Sequence, residues 1–167
     1  MSRLFSDRMI FMQNSSIEIL LADLKNPDES VRNSATQQLW QIWFQQKGAY
    51  GLELLIRSQK LLEAGEAEQA EALLTDIIQD QPDFAEAWNR RAALYYTIGQ
   101  HQKSLADCRM VVQLNPAHFG AWHGIGLCYA ATASYPQAIQ AFRKALEIQP
   151  YALINQKLIL ECTAMLS

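Results

Sequence analysis

Three glycines, three histidines and three cysteines are the residues whose types and spacing could do chemistry in this chain of 167 residues. Gly120, Gly124 and Gly126 are spaced like part of a phosphate-cradling loop, which needs a strand before it and a lysine after it. Neither is present. His101, His118 and His123 lack the spacing of a metal set, and no HExxH or nucleophile elbow occurs. Cys108, Cys128 and Cys162 are an odd set without a CxxC pair, and they fall in helical apolar patterns. They read as reduced core residues of a cytoplasmic protein. No catalytic residue, no metal ligand and no cofactor is therefore expected.

The elements that must position these residues show up as a period of 34 residues: Trp88 and Trp122, Tyr95 and Tyr129, and Pro82, Pro116 and Pro150 fall in register. Gly65 and Gly99 relax to Ala133. Ala70, Ser104 and Ala138 keep one slot small, and Leu74, Cys108 and Phe142 fill the next apolar slot. Within one copy Phe84, Trp88, Leu94, Tyr95 and Ile98 recur at helical spacing. Gly99 then stops the helix. A second helix buries Leu105, Cys108, Val111 and Val112 before Asn115-Pro116 ends it, because the residue before a proline is pushed out of helical geometry. Pro136 falls where the last second helix begins, a position at which proline loses no hydrogen bond. One helix pair has too little core alone, so neighbouring pairs must stack into a solenoid.

In the third copy Trp122, Gly126, Tyr129, Ala138, Phe142, Ala145 and Pro150 are all in place, and the pattern resembles the tetratricopeptide repeat, TPR. The first copy departs most, with Leu54, Ser58 and Leu61 at the Trp, Gly and Tyr slots. The resemblance implies an all-α, right-handed α-α superhelix of antiparallel helix pairs. Residues 51–84, 85–118 and 119–152 are expected as three repeats, with 1–15 a flexible leader, 16–48 an N-terminal helical pair that is either a degenerate repeat or a cap, and 153–167 a capping helix. In that cap Leu153, Leu158, Ile159 and Cys162 are expected to face inward, and Asn155, Gln156, Lys157 and Glu161 outward.

The resemblance further implies a non-catalytic adaptor or scaffold that binds a protein or peptide partner in a concave groove lined by the first helix of each pair. Mapped onto this chain, the groove positions include Leu55 and Gln59; Glu86, Asn89, Arg90 and Tyr96; Gly120, His123, Gly124 and Leu127; and Lys157. Asn89 and Arg90 suit a peptide's backbone amide and carboxylate. Gly120 and Gly124 either let a ligand backbone come close or serve helix packing. The chaperone-binding subclass of the family clamps a C-terminal carboxylate with Lys, Asn and Arg at positions that hold Leu55, Gln59, Arg90, Gly120 and Gly124 here, so that clamp is not expected.

Before the repeats, Asn26-Pro27-Asp28-Glu29 reads as a helix start with Asn26 as N-cap. The helix that follows ends in Trp40, Trp43 and Phe44, which either cover the open end of the solenoid or form an N-terminal interface. The second possibility defines an alternative function, a structural or assembly subunit that dimerises through these aromatics. The expected state is thus a monomer or a weak homodimer.

Formal net charge is −3, and between Leu61 and Asn89 eight acids occur with no Lys or Arg. That run is either a solvated face or a patch that steers a basic partner. Nucleic acid, which needs a basic surface, is not expected as a partner. No stretch approaches the ~20 apolar residues of a bilayer span. Residues 1–16 make a poor secretory signal, with a short organellar presequence as the alternative to a cytoplasmic protein.

Overall fold

The computed structural model describes residues 15–167. The expected flexible leader lies, except for helical Ser15, outside the described residues. Helix α1 runs over 15–23. It is followed by α2 (Glu29–Phe44), α3 (Gly48–Glu63), α4 (Ala67–Asp80), α5 (Ala85–Thr97), α6 (His101–Leu114), α7 (Phe119–Ala131), α8 (Tyr135–Ile148) and α9 (Leu153–Ala164). Among the described residues there is no strand. No described helix is long and apolar enough to cross a membrane.

The described residues form two compact units, one ending at Ile42 and the other spanning Trp43–Ser167. In the first, Leu24, Ala35 and Leu39 are buried. The start of α2 differs from the expected one: its N-cap is Asp28, whose Oδ1 accepts from the Ser30 backbone N–H at 2.8 Å and from the Ser30 hydroxyl at 2.7 Å. These bonds, the side-chain one foremost, hold the Asp28 carboxyl below its ordinary range. Asn26 instead accepts from the Asp28 N–H at 2.9 Å, which makes a turn ahead of the helix. Pro27 thus precedes the cap rather than following it.

The second unit is the superhelix. Helices α3/α4, α5/α6 and α7/α8 pair, α9 packs on α8, and each second helix also packs on the next first helix. First helices meet one another as well, α3 with α5 and α5 with α7, so they share the inner face. The core follows the apolar phases: Leu55, Leu74, Ile77 and Phe84 in one cluster, Ala92, Cys108, Ile125 and Cys128 in the next, Ala138, Phe142 and Cys162 in the last. Each fully buried Phe contributes roughly 1.5–3 kcal/mol by leaving water.

The shared period of Trp and Pro has a direct cause. Trp88 Nε1–H donates to the Pro82 carbonyl and Trp122 Nε1–H to the Pro116 carbonyl, both at 2.9 Å. In the cap, Gln156 Nε2–H repeats the bond to the Pro150 carbonyl at 3.0 Å. An indole six residues after a proline therefore satisfies a carbonyl that the turn leaves outside the helical ladder.

Turns after the first helices also repeat. Gly65 and Gly99 have φ of 77°, and Ala133 is held at 57° in the same left-handed conformation without the glycine that suits it.

The α9 face differs from its expected polarity. Leu153 is 74% exposed, whereas Asn155 is 4% exposed. The reason is a partner for the amide: the His123 ring donates through Nδ1 to Asn155 Oδ1 at 2.7 Å, and that bond turns Asn155 toward α7.

Candidate functional site

On the inner face, α5 and α7 enclose a hollow of about 240 Å³. Asn89, Tyr96, Gly120, His123, Gly124 and Leu127, all expected groove residues, line it together with Cys108 and Ser104 at its back. Gly120 and Gly124 leave gaps between the His123 and Leu127 side chains on its α7 wall. Gly124 also serves packing, because a Cβ there would lie 2.9 Å from the Cys108 sulfur.

The remaining expected residues take other places. Leu55 is 1% exposed in the core and Glu86 is fully buried, so they hold the groove wall from behind instead of facing it. Gln59 and Arg90 pair with each other, Arg90 Nη1–H donating to Gln59 Oε1 at 2.7 Å. The Arg90 guanidinium stands 5.1 Å over the Phe44 ring. Lys157 is exposed on α9 beside Glu161, at 3.6 Å.

Glu86 is a centre of the buried network that fixes α5 against α7. The His118 side chain, itself fully buried, is the N-cap of α7: its Nδ1 accepts from the Ala121 N–H at 3.0 Å. The ring proton is thereby left on Nε2, which donates to Glu86 Oε1 at 2.7 Å. Asn89 Nδ2–H donates to the same carboxylate at 3.3 Å, so the hollow's polar wall is set by a buried group behind it.

Trp43 closes the network. Its ring stacks on His118 with centroids 4.5 Å apart and 20° between planes, and meets Phe119 at 5.1 Å. Trp43 is 7% exposed, Phe44 is half-buried beneath Arg90, and Trp40, in the other unit, is half-buried. Trp43 and Phe44 thus share neighbours with the groove rather than forming a separate exposed patch.

Sequence reasoning missed His118, Ser104 and Cys108. For His118 the signal was its phase: it occupies the slot of Phe84, a fully buried residue one repeat earlier. For Cys108 it was size, since the slot holds Leu74 and Phe142 in the other copies and a small side chain leaves room for the hollow. The Cys108 thiol is pushed up to about 12 by burial, with Cys128 and Asp107 adding to the effect. Burial thus favours the protonated thiol, the less reactive form. The Ser104 hydroxyl donates to the Ala92 carbonyl at 2.8 Å and accepts from Cys128. Among the described residues no group of three His, Cys, Asp or Glu is placed to hold a metal ion.

Stacked antiparallel helix pairs with a hollow on the shared inner face define a helical-repeat solenoid. Two family models described as tetratricopeptide repeat match residues 85–118 and 119–152, and the chain is a tetratricopeptide-repeat protein. A TPR repeat-containing protein of Rhizobium etli is 27% identical over 135 residues, 80% of this chain and 66% of that protein. Superkiller complex protein 3 of Homo sapiens is 30% identical over 96 residues, 56% of this chain and 6% of that protein. The chain thus spans just under two thirds of the first relative's length and a small part of the second's. Among solved structures, the first TPR of Spaghetti (RPAP3) bound to the HSP90 peptide SRMEEVD superposes with a TM-score of 0.66 at 20% identity, over 69% of this chain and 91% of that one.

Proposed function

We infer that this protein is a non-catalytic adaptor that captures an extended peptide of a partner in the hollow between α5 and α7. The observation that carries the reading is convergence: six groove positions from two repeats line one cavity, with Tyr96 and Leu127 apolar, Asn89 and His123 polar, and Gly120 and Gly124 open to a peptide backbone. The RPAP3 domain of like fold is bound to a peptide, which supports the class of ligand. The acidic tail seen there is not the ligand inferred here. Arg90 is the single cation at the five clamp positions, and it is already engaged by Gln59 and Phe44. The ligand is a peptide held by backbone amides and one or two apolar side chains. The buried free thiols Cys108, Cys128 and Cys162 support a reducing, cytoplasmic setting.

The aromatic end of α2 is the competing surface. Burial of Trp43 against His118 and Phe119 supports a groove-organising role for it over a dimer contact.

The test compares wild type with Leu127→Arg, which puts a charge into the hollow from a half-buried position, in capture experiments from the native host. Circular dichroism first shows that the two have the same helical content. A partner held by wild type and lost by the variant supports capture in the hollow, and an identical partner set sinks it.

A further inference from the structure

Away from the hollow, α6, α7 and α8 together line an open groove of about 540 Å³, with α6 and α8 on its two sides. That size falls among clefts that hold ligands, roughly 300–1,000 Å³. Val112, Trp122, Ile125 and Ala141 make an apolar floor.

The rim is cationic. Arg109 and Arg143 stand on opposite walls at the same phase of successive repeats, and Lys144 lies beside Arg143. Arg109 donates to the Tyr129 hydroxyl and stands 5.8 Å over its ring, which fixes its position without neutralising it. Glu147 is the one acid among the lining residues, and it faces Lys144 at 3.0 Å, an exposed pair of little strength.

The preceding repeat shows how such a groove is closed. Ile125 and Ala141 occupy the phases of Arg91 and Asp107. There Arg91 makes two bonds to Asp107, at 2.7 and 2.9 Å, and a third to the Thr75 hydroxyl at 3.0 Å. It also lies over the Trp88 and Tyr95 rings. Replacing that long, paired side chain by isoleucine and the aspartate by alanine leaves an apolar floor, and Arg109, Arg143 and Lys144 stand at the phases of Thr75, Arg109 and Met110.

We propose that this outer groove is a second docking site, for a partner segment that places a bulky apolar side chain on the Trp122–Ile125–Ala141 floor and carboxylates against Arg109 and Arg143. The occupant follows from charge complementarity. An apolar anchor alone would not use two arginines from different helices, and guanidinium forks match carboxylates in a bidentate way. A basic or neutral segment would leave the rim cations facing like charge or nothing.

A library of short random peptides, selected on wild type and counter-selected on Arg109→Glu/Arg143→Glu, tests this directly. Selected peptides are then measured by fluorescence anisotropy. The expected motif is an aromatic or aliphatic residue flanked by Asp or Glu. Its affinity should drop about tenfold or more in the charge-reversed variant. It should be lost in Ile125→Arg/Ala141→Asp, which rebuilds the closing pair, and be unchanged in Leu127→Arg. With wild type alone, raising the salt concentration should weaken it several-fold.

The proposal is overturned if no motif emerges, if the motif lacks acids, or if binding ignores salt and survives Arg109→Glu/Arg143→Glu. Loss in Leu127→Arg would move the peptide to the inner hollow, and peptides lost only there would support that reading while defeating this one. Self-association abolished by Arg109→Glu/Arg143→Glu would make a second copy the occupant, again overturning it.

Discussion

The junction of the first and second repeats and that of the second and third have one backbone plan and opposite outer surfaces. In the former, Arg91 ties α5 both to Asp107 of α6, with side chains only 14% and 6% exposed, and to Thr75 of α4, and Tyr95 donates its hydroxyl proton to Glu71 at 2.7 Å. In the latter, Ile125 and Ala141 stand at those phases, and Tyr129 turns its hydroxyl to Arg109. A buried ion pair yields little net stability over well-packed apolar residues, because the desolvation of two charges nearly offsets their attraction. One junction is thus closed by chemistry that the other dispenses with, and the exchange costs the fold little while it opens a groove.

That equivalence can be broken at its strongest point. Asp107→Ala leaves Arg91 partly buried without its carboxylate, and should lower stability by about 3 kcal/mol in denaturant unfolding. The double change Arg91→Ile/Asp107→Ala copies the other junction and should recover to within about 1 kcal/mol of wild type. A double variant as unstable as the single one would show that the two junctions are not interchangeable.

The second contrast lies in volume. Ala92 and Gly126 share a phase, as do Cys108 and Phe142, so the larger residue of one pair sits with the smaller of the other. A Cβ on Gly126 would stand 2.4 Å from Phe142, whose ring is fully buried. Gly126→Ala should therefore destabilise by about 1–3 kcal/mol, despite the gain in helix propensity. Gly126→Ala/Phe142→Leu should restore most of the loss, since Leu74 already fills that slot in the first repeat. An unrescued double variant would place the strain elsewhere.

These paired volumes mark how far the sequence can be read. Periodic positions were legible because the copies repeat them: Trp and Pro in the second and third, the small slot and the apolar slot behind it in all three. The α-helical solenoid follows from these. Contacts made once leave no period, so the stacking of Trp43 on His118 was invisible, although His118 at the Phe84 phase was a clue. Local competition also misleads: Asn26 and Asp28 both suit an N-cap, and the choice rests on which of them reaches the Ser30 amide. In α9 the bond to His123 draws Asn155 inward, and Leu153 is left outside, which hydropathy alone could not foresee.

A smaller effect separates the turns. Gly99 ends α5 at a φ of 77°, while Ala133 ends α7 at 57° and carries the steric cost of a side chain in the left-handed region. Ala133→Gly should raise stability by about 0.5–1 kcal/mol and Gly99→Ala should lower it by a similar amount. Thermal melts of the two variants moving in the same direction would refute the assignment.

The smallest effect near neutral pH lies in the protons of the second repeat. Burial first, then the bond to Glu71, pushes the Tyr95 phenol up to about 12 from 10.0, and burial pushes the Cys108 thiol up to about 12 from 9.0. Cys128 shifts in the same direction, also through burial. An unfolded chain releases these protons at lower pH than the folded one does. The stability they contribute is therefore whole below pH 9.0, where the unfolded thiols begin to ionise, and is lost as the pH rises toward about 12. Denaturant unfolding should be flat below that point and fall above it, less steeply in Cys108→Ala than in wild type and least steeply when Tyr95→Phe is added. If Cys108→Ala declines along the wild-type curve, the thiol behind the inner hollow meets water in the folded state, and the hollow is deeper than its lining implies.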